Sequence, residues 1–471
     1  MPHAPLSLSM LSRRRMLQAS GAGFGMLGLA GAMQDAGLIA AEKASSGPRQ
    51  HFAPKAKRVI SLFMNGAPSH VDTFDPKPAL AEHAGEQPAG ERERKNKGSG
   101  FMPSPFAFAP HGESGVVMSE LFPNLAQFAD DLCVIRSMHT DTPNHEPGLL
   151  LMSSGHQQPT RPSLGSWCSY GLGPENRNLP AFVVLCPGLP VVGPQLWSSA
   201  FLPGEHQGMS VNTNDTSVDK LVANLQHPQW SRAEQQRQRQ LLERLNDLHR
   251  QERPQEAALD AQINALELAY RMQVEASDAF DLSREPQSMH ELYGDTVYSK
   301  SCLLARRLVE RGVRFVQVYY ISKGDKQPWD THADNDNKHR KLCADSDRAT
   351  AALLADLKSR GLLDDTLVTW GGEFGRTPYA QDDKKGKPGR DHHATGFTTV
   401  LAGGGIKGGL MYGSTDEFGM HAVENRVHVH DLHATILHQL GLNHEQLTYR
   451  YSGRDYRLTD VHGRVVSDIL A

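Results

Sequence analysis

The sequence offers little that points to a nucleic acid or a membrane. Its 471 residues contain 49 Lys and Arg against 53 Asp and Glu, so the net charge is −4 and no basic excess is available to hold phosphate backbones. The apolar run at residues 19–33 is shorter than the ~20 residues of a membrane-spanning helix. We therefore expect neither a nucleic-acid partner nor a membrane span once the N-terminal segment is removed.

Several catalytic motifs are also missing. There is no HExxH zinc motif and no GxSxG nucleophile elbow. The sequence therefore contains no motif that predicts a zinc protease of that type or a Ser/His/Asp hydrolase. Residues 403–408 fit the pattern GxGxxG after a strand, but residues 410–414 do not open a helix. Without a helix N-terminus to bind the phosphate, this segment does not predict a dinucleotide site.

The cysteines do not form a recognisable framework. They are odd in number and include no CxxC pair, which excludes a zinc knuckle and a regular disulfide scaffold. One or two isolated disulfides remain open, and we interpret most of the thiols as core residues. The five cysteines are Cys133, Cys168, Cys186, Cys302 and Cys343.

The N-terminus has the features of an export signal. Arg13, Arg14 and Arg15 precede a Gly/Ala-rich apolar run that ends in small residues, and paired arginines favour the twin-arginine type. The alternative, a first helix of the domain, is disfavoured by the glycine content. We predict that residues 1–41 are a signal peptide, that residues 42–471 form the mature protein, and that it is periplasmic or extracellular.

Strands alternate with helices along the mature chain, which predicts an α/β sandwich over a mainly parallel sheet. Apolar, β-branched runs predict strands at residues 57–64, 132–135, 180–185, 314–320, 367–370 and 397–402. Helical periodicity predicts helices at residues 121–128, 148–154, 301–311, 345–360 and 428–440. Residues 81–115 are polar and rich in Gly and Pro, as expected for a long surface loop.

Residues 231–275 differ in character from the rest of the chain. Leucines recur at helical spacing among many Gln, Arg and Glu residues, and Pro254 interrupts the pattern. We interpret this segment as a pair of amphipathic helices inserted in the domain. The alternative interpretation is a coiled-coil surface for a protein partner.

Polar side chains that bind cations follow several of the predicted strands. In a parallel sheet such strand ends converge on one edge, where ligands bind, and carboxylates with imidazoles suit a divalent cation. The sequence therefore predicts a metal site at this edge. The candidate residues are Asn65, His70, Asp72, His139, Asp141, Asn144, His145, Asp330, His332, Glu373, Asp391, His392 and His393.

The motifs that contain these residues resemble a known bacterial family. The segments FMNGAPSHVDTFDPKP, NHEPGLLLMSSG, WDTHADN, GGEFGRTP and GRDHHATGFTTVLAGGGIKGG are similar to those of the family named domain of unknown function 1501. That family is exported through twin-arginine signals and belongs to the alkaline phosphatase-like superfamily, with sulfatases and phosphodiesterases. The resemblance implies a three-layer α/β/α sandwich of the alkaline phosphatase-like type, with the helical segment as an insertion.

The resemblance also implies roles for individual residues. A divalent ion (Zn, Mn or Ca) would be held by Asn65, Asp72, Asp330, His332, Glu373 and His392 or His393. Phe374 stands where the superfamily has a further histidine ligand, and Asn65 where it usually has an aspartate. Arg376 would hold the substrate anion through a bidentate contact, with His70 as a second substrate-binding residue.

The nucleophile is the point at which the chain departs from the superfamily. Asn144 or His145 stands at the reactive position, where sulfatases and phosphatases have a hydroxyl or formylglycine, and Thr140 and Thr142 are the nearest hydroxyls. Three outcomes stay open: a metal-activated water attacks, Thr142 serves as nucleophile, or turnover has been lost. His145 could also act as a nucleophile or as a metal ligand.

These observations lead to three hypotheses for the function. The preferred one is an exported, metal-dependent hydrolase of phosphate or sulfate esters acting on an anionic ester or glycan. The alternative is an inactive periplasmic binding protein on the same fold, which recognises sulfated or phosphorylated ligands. The third is an interaction module whose protein partner binds the helices of residues 231–275.

Overall fold

The structure is a computed structural model, and it describes residues 50–87, 100–176, 178–221, 278–322, 324–381 and 386–471, with a few further positions between 234 and 246. The chain divides into two compact units, Ser46–Val222 with Ala258–Ala471 and Met1–Ser45 with Ala223–Ala257. Most of the second unit lies outside the described residues. The signal peptide and the helical insertion at 231–275 therefore stay predictions, although the described positions between 234 and 246 are helical.

The larger unit alternates strands and helices along the chain. Its strands are β1 (Arg58–Met64), β2 (Phe108–His111), β3 (Val116–Ser119), β4 (Leu132–His139), β5 (Phe182–Leu185), β6 (Met209–Val211), β7 (Phe315–Tyr320), β8 (Thr366–Gly371), β9 (Gly375–Gln381), β10 (Gly389–His393), β11 (Phe397–Ala402), β12 (Leu410–Tyr412), β13 (Ser414–Thr415), β14 (Ala422–Glu424), β15 (Val427–His428), β16 (Tyr449–Tyr451) and β17 (Arg454–Tyr456). Its α-helices are α1 (His70–Thr73), α2 (Ala79–Glu82), α3 (His145–Ser154), α4 (Leu164–Leu172), α5 (Val218–Leu221), α6 (Gln287–Tyr293), α7 (Val297–Glu310), α8 (Asn335–Ser359) and α9 (Val429–Gln439).

The central sheet has nine strands in the order β12-β4-β11-β8-β1-β7-β5-β6, with β15 also paired to β4. Strand β11 runs antiparallel to both β4 and β8. The other pairs described in this sheet are parallel. The prediction of a mainly parallel sheet is therefore confirmed.

Each face of the sheet packs against a layer of helices. In β1, Ile60, Leu62 and Met64 point into a core shared with α7 and α8, whereas Val59 and Phe63 point into a second core shared with α3, α4 and α9. This alternation follows from the two-residue period of a strand. Both faces of the central strands are buried, as expected for parallel strands between helical layers, and the three-layer α/β/α sandwich is confirmed.

Three helices begin earlier than the sequence predicts, one of them α7, which starts at Val297 instead of residue 301. Helix α8 starts at Asn335 instead of residue 345, after Asp334 in a left-handed conformation (φ 57°). Its first turns are polar in sequence, but Asn335 and His339 are buried, so the periodicity of apolar residues could not reveal them. Helix α3 starts at His145 instead of residue 148. The helix predicted at residues 121–128 is instead a 3₁₀ helix, Leu125–Asp131.

One segment predicted as a loop, and one of loop-like composition, contain strands. Residues 81–115 include β2, which pairs with β3 in a small antiparallel sheet. The polar segment after Glu373 forms β9 and β10, an antiparallel hairpin whose residues 382–385 lie outside the described chain. The sequence does not predict this hairpin, because its Lys, Gly and Pro content is typical of loops. The hairpin places His392 at the edge of the central sheet.

The smaller expectations can also be compared with the structure. The glycine-rich segment at 403–408 leads to strand β12 and not to a helix, which confirms that it lacks the dinucleotide geometry. All five cysteines are buried and free, as expected of core thiols. Among the described residues, no helix is long and apolar enough to cross a bilayer.

Candidate metal centre

Four side chains meet at the carboxyl edge of the sheet. His145 is the first residue of α3, Asp330 and His332 lie between β7 and α8, and His392 lies in β10. One ligand atom from each lies within 4.8 Å of the others, and no second group of this kind occurs among the described residues. We call these four residues the metal centre.

The ligand atoms surround a single carboxylate oxygen. Asp330 Oδ1 lies 2.9 Å from His332 Nε2, 3.2 Å from His392 Nε2 and 3.3 Å from His145 Nε2. The Nε2 atoms of His332 and His392 are 2.9 Å apart. In a tetrahedral site with bonds of 2.0–2.1 Å, ligand atoms stand about 3.4 Å apart. The four residues are therefore spaced as the ligands of one small divalent cation would be.

Two of the imidazoles have partners behind them that orient their lone pairs toward the centre. His145 Nδ1 donates to Glu373 Oε1 over 2.6 Å, and His332 Nδ1 donates to Gln381 Oε1. With a cation bound, both rings would then present an unprotonated Nε2 to it. Such hydrogen bonds from ligand histidines to carboxylates or amides are typical of metal sites, because they fix the tautomer and the ring orientation.

The electrostatics of the metal centre favour a charged carboxylate. Burial alone would raise the pKa of Asp330, but hydrogen bonds from three histidines and the positive charge of Arg376 hold it well below its usual range. Burial alone would lower the pKa of His145, but hydrogen bonds to Asp330 and Glu373 raise it. Without a cation, His145 is thus biased toward its protonated form, and cation binding would release that proton.

Glycines allow the segments of the centre to approach one another. A Cβ atom at Gly389 would collide with the backbone of His332 and Ala333, so β10 can lie against the loop that carries His332 only without a side chain there. Gly66 has a φ of +103°, and its Cβ would collide with the backbone N of Asp330. These contacts explain the glycines of the motifs GRDHH and MNGAP.

Glu373 and Asn65 lie next to the centre and retain free atoms. Glu373 Oε1 accepts hydrogen bonds from His145 and from the Gly66 N–H, which is 3.1 Å away. Glu373 Oε2 and both polar side-chain atoms of Asn65 are buried and have no hydrogen-bond partner within the described part of the chain. Buried polar groups without partners are costly. Both residues therefore stay candidates for contact with a cation or a substrate.

Asp72 was expected among the ligands, but it lies elsewhere. Its carboxylate is fully buried and receives Arg390 Nε at 2.7 Å and Nη2 at 3.0 Å. Ser69 Oγ and Asn335 Nδ2 donate to the same group over 2.6 and 2.9 Å. Burial alone would raise the pKa of Asp72, but Arg390 and these hydrogen bonds hold it well below its usual range. Asp72 follows the end of a strand, as a metal ligand would, but its side chain bonds to Arg390 in β10 and so stabilises the β9–β10 hairpin.

Arg376 also differs from expectation. Its side chain has no exposed surface, and its Nη2 lies 2.6 Å from Asp330 Oδ1. The same guanidinium donates to the carbonyl oxygens of Ala67 (3.0 Å) and Gly66. Its donors are therefore engaged with the protein, and it orients Asp330 instead of presenting a fork to a substrate anion.

Of the two adjacent histidines in β10, the structure brings only His392 into the centre. Successive side chains of a strand point to opposite faces, and His393 instead contacts the Met420 carbonyl and Thr395. His70 stacks near His393, with ring centroids 6.2 Å apart, and its Nε2 donates to the Gly419 carbonyl over 2.9 Å. His70 is buried, so its expected contact with substrate has no support in this arrangement.

The residues expected to supply a nucleophile lie at the start of α3. Asn144 is its exposed N-cap, and the Asn144 N–H donates over 3.2 Å to Thr142 Oγ1, which is buried. His145 belongs to the metal centre itself. No hydroxyl or thiol is part of the four-residue group.

Sequence reasoning missed the hairpin irregularity that positions His392. In the β9–β10 pairing, Arg390 faces Ala380 but His392 faces Arg376, so Thr377–Tyr379 bulge opposite Asp391. The Asp391 N–H donates to Thr377 Oγ1 over 2.9 Å. A proline in a strand, here Pro378, often marks such a bulge, and this was the available signal. Gln381, the partner of His332, had no signal in the sequence.

Comparison with solved structures gives matches of low identity. The lipoteichoic acid synthase LtaP from Listeria monocytogenes is 9% identical over 88% of this chain and 78% of its own, with a TM-score of 0.36. The PsFucS1 sulfatase from Pseudoalteromonas sp. is 14% identical over 83% and 68%, with a TM-score of 0.36. The alkaline phosphatase from the Antarctic bacterium TAB5 is 12% identical over 82% and 98%, with a TM-score of 0.35. Likenesses of this size say nothing about activity.

The match to a protein family spans most of the chain. No curated protein matches the chain. The family model described as "Protein of unknown function (DUF1501)" matches residues 56–470, a span that contains the β1 segment, both ends of the hairpin and all four residues of the metal centre. The resemblance seen in the motifs is thereby confirmed, and the chain belongs to the DUF1501 family.

Proposed function

We propose that this protein is a metal-dependent hydrolase of phosphate or sulfate esters whose cation is held by His145, Asp330, His332 and His392. The observation that carries the proposal is the convergence of three imidazole Nε2 atoms on Asp330 Oδ1 at 2.9–3.3 Å. Supporting it, the carboxylate of Glu373 and the amide of Gln381 orient two of these rings from behind.

The donor set favours zinc or manganese over calcium. Three imidazoles and one carboxylate suit borderline transition metals, whereas calcium takes about 6–8 oxygen ligands. A cation bound here would supply Lewis-acid polarisation of an ester oxygen. Helix α3 begins at His145, so its first backbone N–H groups lie beside the centre and favour an anionic ester.

The protein's own residues define the open side of the centre. His332 has the most exposed side chain of the four, at 34%, compared with 24% for Asp330, 20% for His392 and 11% for His145. The Asp391 carboxylate lies 3.7 Å from His332 Nδ1 and is 28% exposed. A substrate would therefore approach on the His332 side.

The test is metal content and ester hydrolysis of the mature protein, purified without chelators or a His-tag. We expect about one equivalent of Zn or Mn, with hydrolysis of an aryl phosphate or an aryl sulfate. His392→Ala should lose the metal and the activity. His393→Ala is the matched control, because the neighbouring side chain contacts Met420 instead, and it should keep the metal. Equal metal content in the two variants would overturn the assignment.

A second candidate, a binding protein for anionic glycans, rests on a specific observation. The metal centre includes no hydroxyl or thiol, and Arg376 is engaged with Asp330 and two carbonyls. If the purified protein holds one metal ion, binds a sulfated or phosphorylated glycan and hydrolyses neither ester, the binding function replaces the enzymatic one. Hydrolysis that disappears in His392→Ala excludes it.

We also propose that the protein is exported by the twin-arginine route to the periplasm or beyond. The motif SRRRML followed by a Gly/Ala-rich run supports this. Replacing Arg13 and Arg14 with Lys should retain the full-length precursor in the cytoplasm, as seen by fractionation. Unchanged export of that variant would contradict the route. A protein partner at residues 231–275 stays a prediction, tested by loss of a complex when that segment is deleted.

A further inference from the structure

A row of polar residues crosses the middle of the sheet on the face covered by α3, α4 and α9. Ser61 in β1 is in register with Gln317 in β7 and with Thr369 in β8. On the far side of β8, Thr399 in β11 lies two residues before Leu401, the register partner of Thr369. Four neighbouring strands thus each place one polar side chain in a layer that is otherwise apolar. Central parallel strands that are buried on both faces normally consist of uninterrupted runs of apolar residues.

A cavity lies over this row. Its volume is about 50 Å³, and its walls include the four polar residues together with Ser153 and His433 from the helical layer. We call it the sheet chamber. One water molecule needs about 10–15 Å³ of such volume, so the sheet chamber has room for at least about three.

Two buried polar atoms at the sheet chamber have no hydrogen-bond partner among the residues that the structure describes. They are Thr399 Oγ1 and His433 Nδ1, on side chains that are 3% and 1% exposed. His433 Nε2 donates to the Met152 carbonyl over 2.8 Å, which leaves Nδ1 as an acceptor. Buried polar atoms in native proteins are almost always paired with protein or ordered water, so both atoms require a small hydrogen-bonding ligand.

We propose that the sheet chamber binds a cluster of about three water molecules, hydrogen-bonded to Thr399 Oγ1, His433 Nδ1 and the polar row. Water fits because it both donates and accepts hydrogen bonds. His433 Nδ1 needs a hydrogen-bond donor, and the Thr399 hydroxyl can pair with a donor or with an acceptor. An apolar cavity of similar size would stay dry and take up xenon. Gly371 and Gly372 form part of the wall, so the hydrated sheet chamber lies directly beneath the segment that carries Glu373.

The test is a high-resolution crystal structure of the mature protein, with a second crystal held under xenon. The expected result is ordered water within hydrogen-bonding distance of Thr399 Oγ1 and His433 Nδ1, and no xenon in the sheet chamber. Xenon in the wild-type sheet chamber, or an absence of ordered water there, overturns the proposal.

Two variants sharpen the result. Thr369→Val with Thr399→Val makes the row apolar, so this double variant should lose the water and gain xenon. Thr398→Val is the matched control, because Thr398 precedes Thr399 in β11 and therefore points to the other face of the sheet. It should leave the water in place. Magnetic relaxation dispersion counts long-lived internal waters in solution and should report about three fewer in the double variant; an unchanged count contradicts the proposal.

Discussion

His145 Nδ1 lies 2.6 Å from Glu373 Oε1, and the opposite nitrogen of the same ring points at Asp330 Oδ1 over 3.3 Å. The ring therefore joins a fully buried carboxylate to the proposed ligand set. Phe374 packs against it, with ring centroids 4.9 Å apart, and limits its rotation. The family motif GGEFG thus supplies both the hydrogen bond and the packing that orient one ligand.

Replacing Glu373 with Gln should weaken metal binding without preventing folding. The amide oxygen still accepts the His145 Nδ1–H, but the negative charge that makes the ring a better ligand is lost. Removing such a partner typically costs about 10- to 100-fold in metal affinity. Competition with a chelator measures it. Glu146→Gln, at an exposed neighbouring position in α3, is the control, and equal affinities in the two variants would show that Glu373 does not act through His145.

Replacing Arg390 with Met should destabilise the fold strongly. Asp72 and Arg390 are both fully buried and bonded to each other at 2.7 and 3.0 Å, so the variant leaves a carboxylate buried without its counter-charge. Such a loss costs about 3–5 kcal/mol in unfolding free energy, measurable by urea denaturation.

Arg450→Met provides the comparison for that experiment, because the Arg450–Asp455 pair is exposed on both sides and exposed pairs contribute little. Adding Asp72→Asn to Arg390→Met should recover part of the lost stability, since the unpaired charge is then removed. A double variant as unstable as the sum of the single ones would mean that the two residues act independently.

Replacing Gly389 with Ala should loosen the metal centre. The added methyl group collides with the backbone of His332 and Ala333, so β10 must move and carry His392 with it. A displacement of about 1 Å is enough to impair a site of this kind, and we expect metal affinity to fall about tenfold or more. At Gly204 a Cβ meets no heavy atom within 4 Å, so Gly204→Ala should bind metal as the wild type does.

The stability of the protein should fall as the pH drops from about 6.5 to about 4, in part because of His433. Burial lowers the pKa of His433 from 6.5 to about 4. Between these values the unfolded chain binds a proton that the folded protein excludes, so acid favours unfolding. The contribution at pH 4 is on the order of 3 kcal/mol.

Denaturation at a series of pH values tests the role of His433. His433→Leu should flatten the decline between pH 6.5 and 4 by about that amount, whereas His111→Gln, in the peripheral strand β2, should leave it unchanged. Burial also lowers the pKa of His430 to about 3 and of His139 to about 4, so part of the decline should persist. A slope identical to wild type in His433→Leu would mean that this ring is already charged in the folded protein.

The sheet and the edge that carries the site could be predicted from the sequence. Apolar runs such as residues 314–320 and 367–370 are local signals of buried strands, and parallel strands bring their carboxyl ends together whatever the loops contain. For this reason the sequence alone predicts that Asp330, His332 and Glu373 lie in one region.

The division of roles within that region depends on contacts that no local pattern encodes. Whether His392 or His393 faces the centre is decided by the register of β10 against β9, which a bulge shifts. Arg376 and Asp72 bond to partners more than 300 residues away in sequence. The segments around them have a composition typical of ligand-binding loops. That composition does not reveal that both side chains are paired inside the protein.

The order of the four proposed ligands along the chain has a consequence for biosynthesis. His145, Asp330 and His332 precede the glycine of β10, and His392 follows it. A nascent chain that ends before β10 can complete neither the hairpin nor the fourth ligand. Because long-range pairing brings these residues together, a metal ion bound by them would not nucleate folding early and would be taken up by a chain whose sheet has already assembled. Metal supply should then affect how long the finished protein survives, and not how quickly it folds.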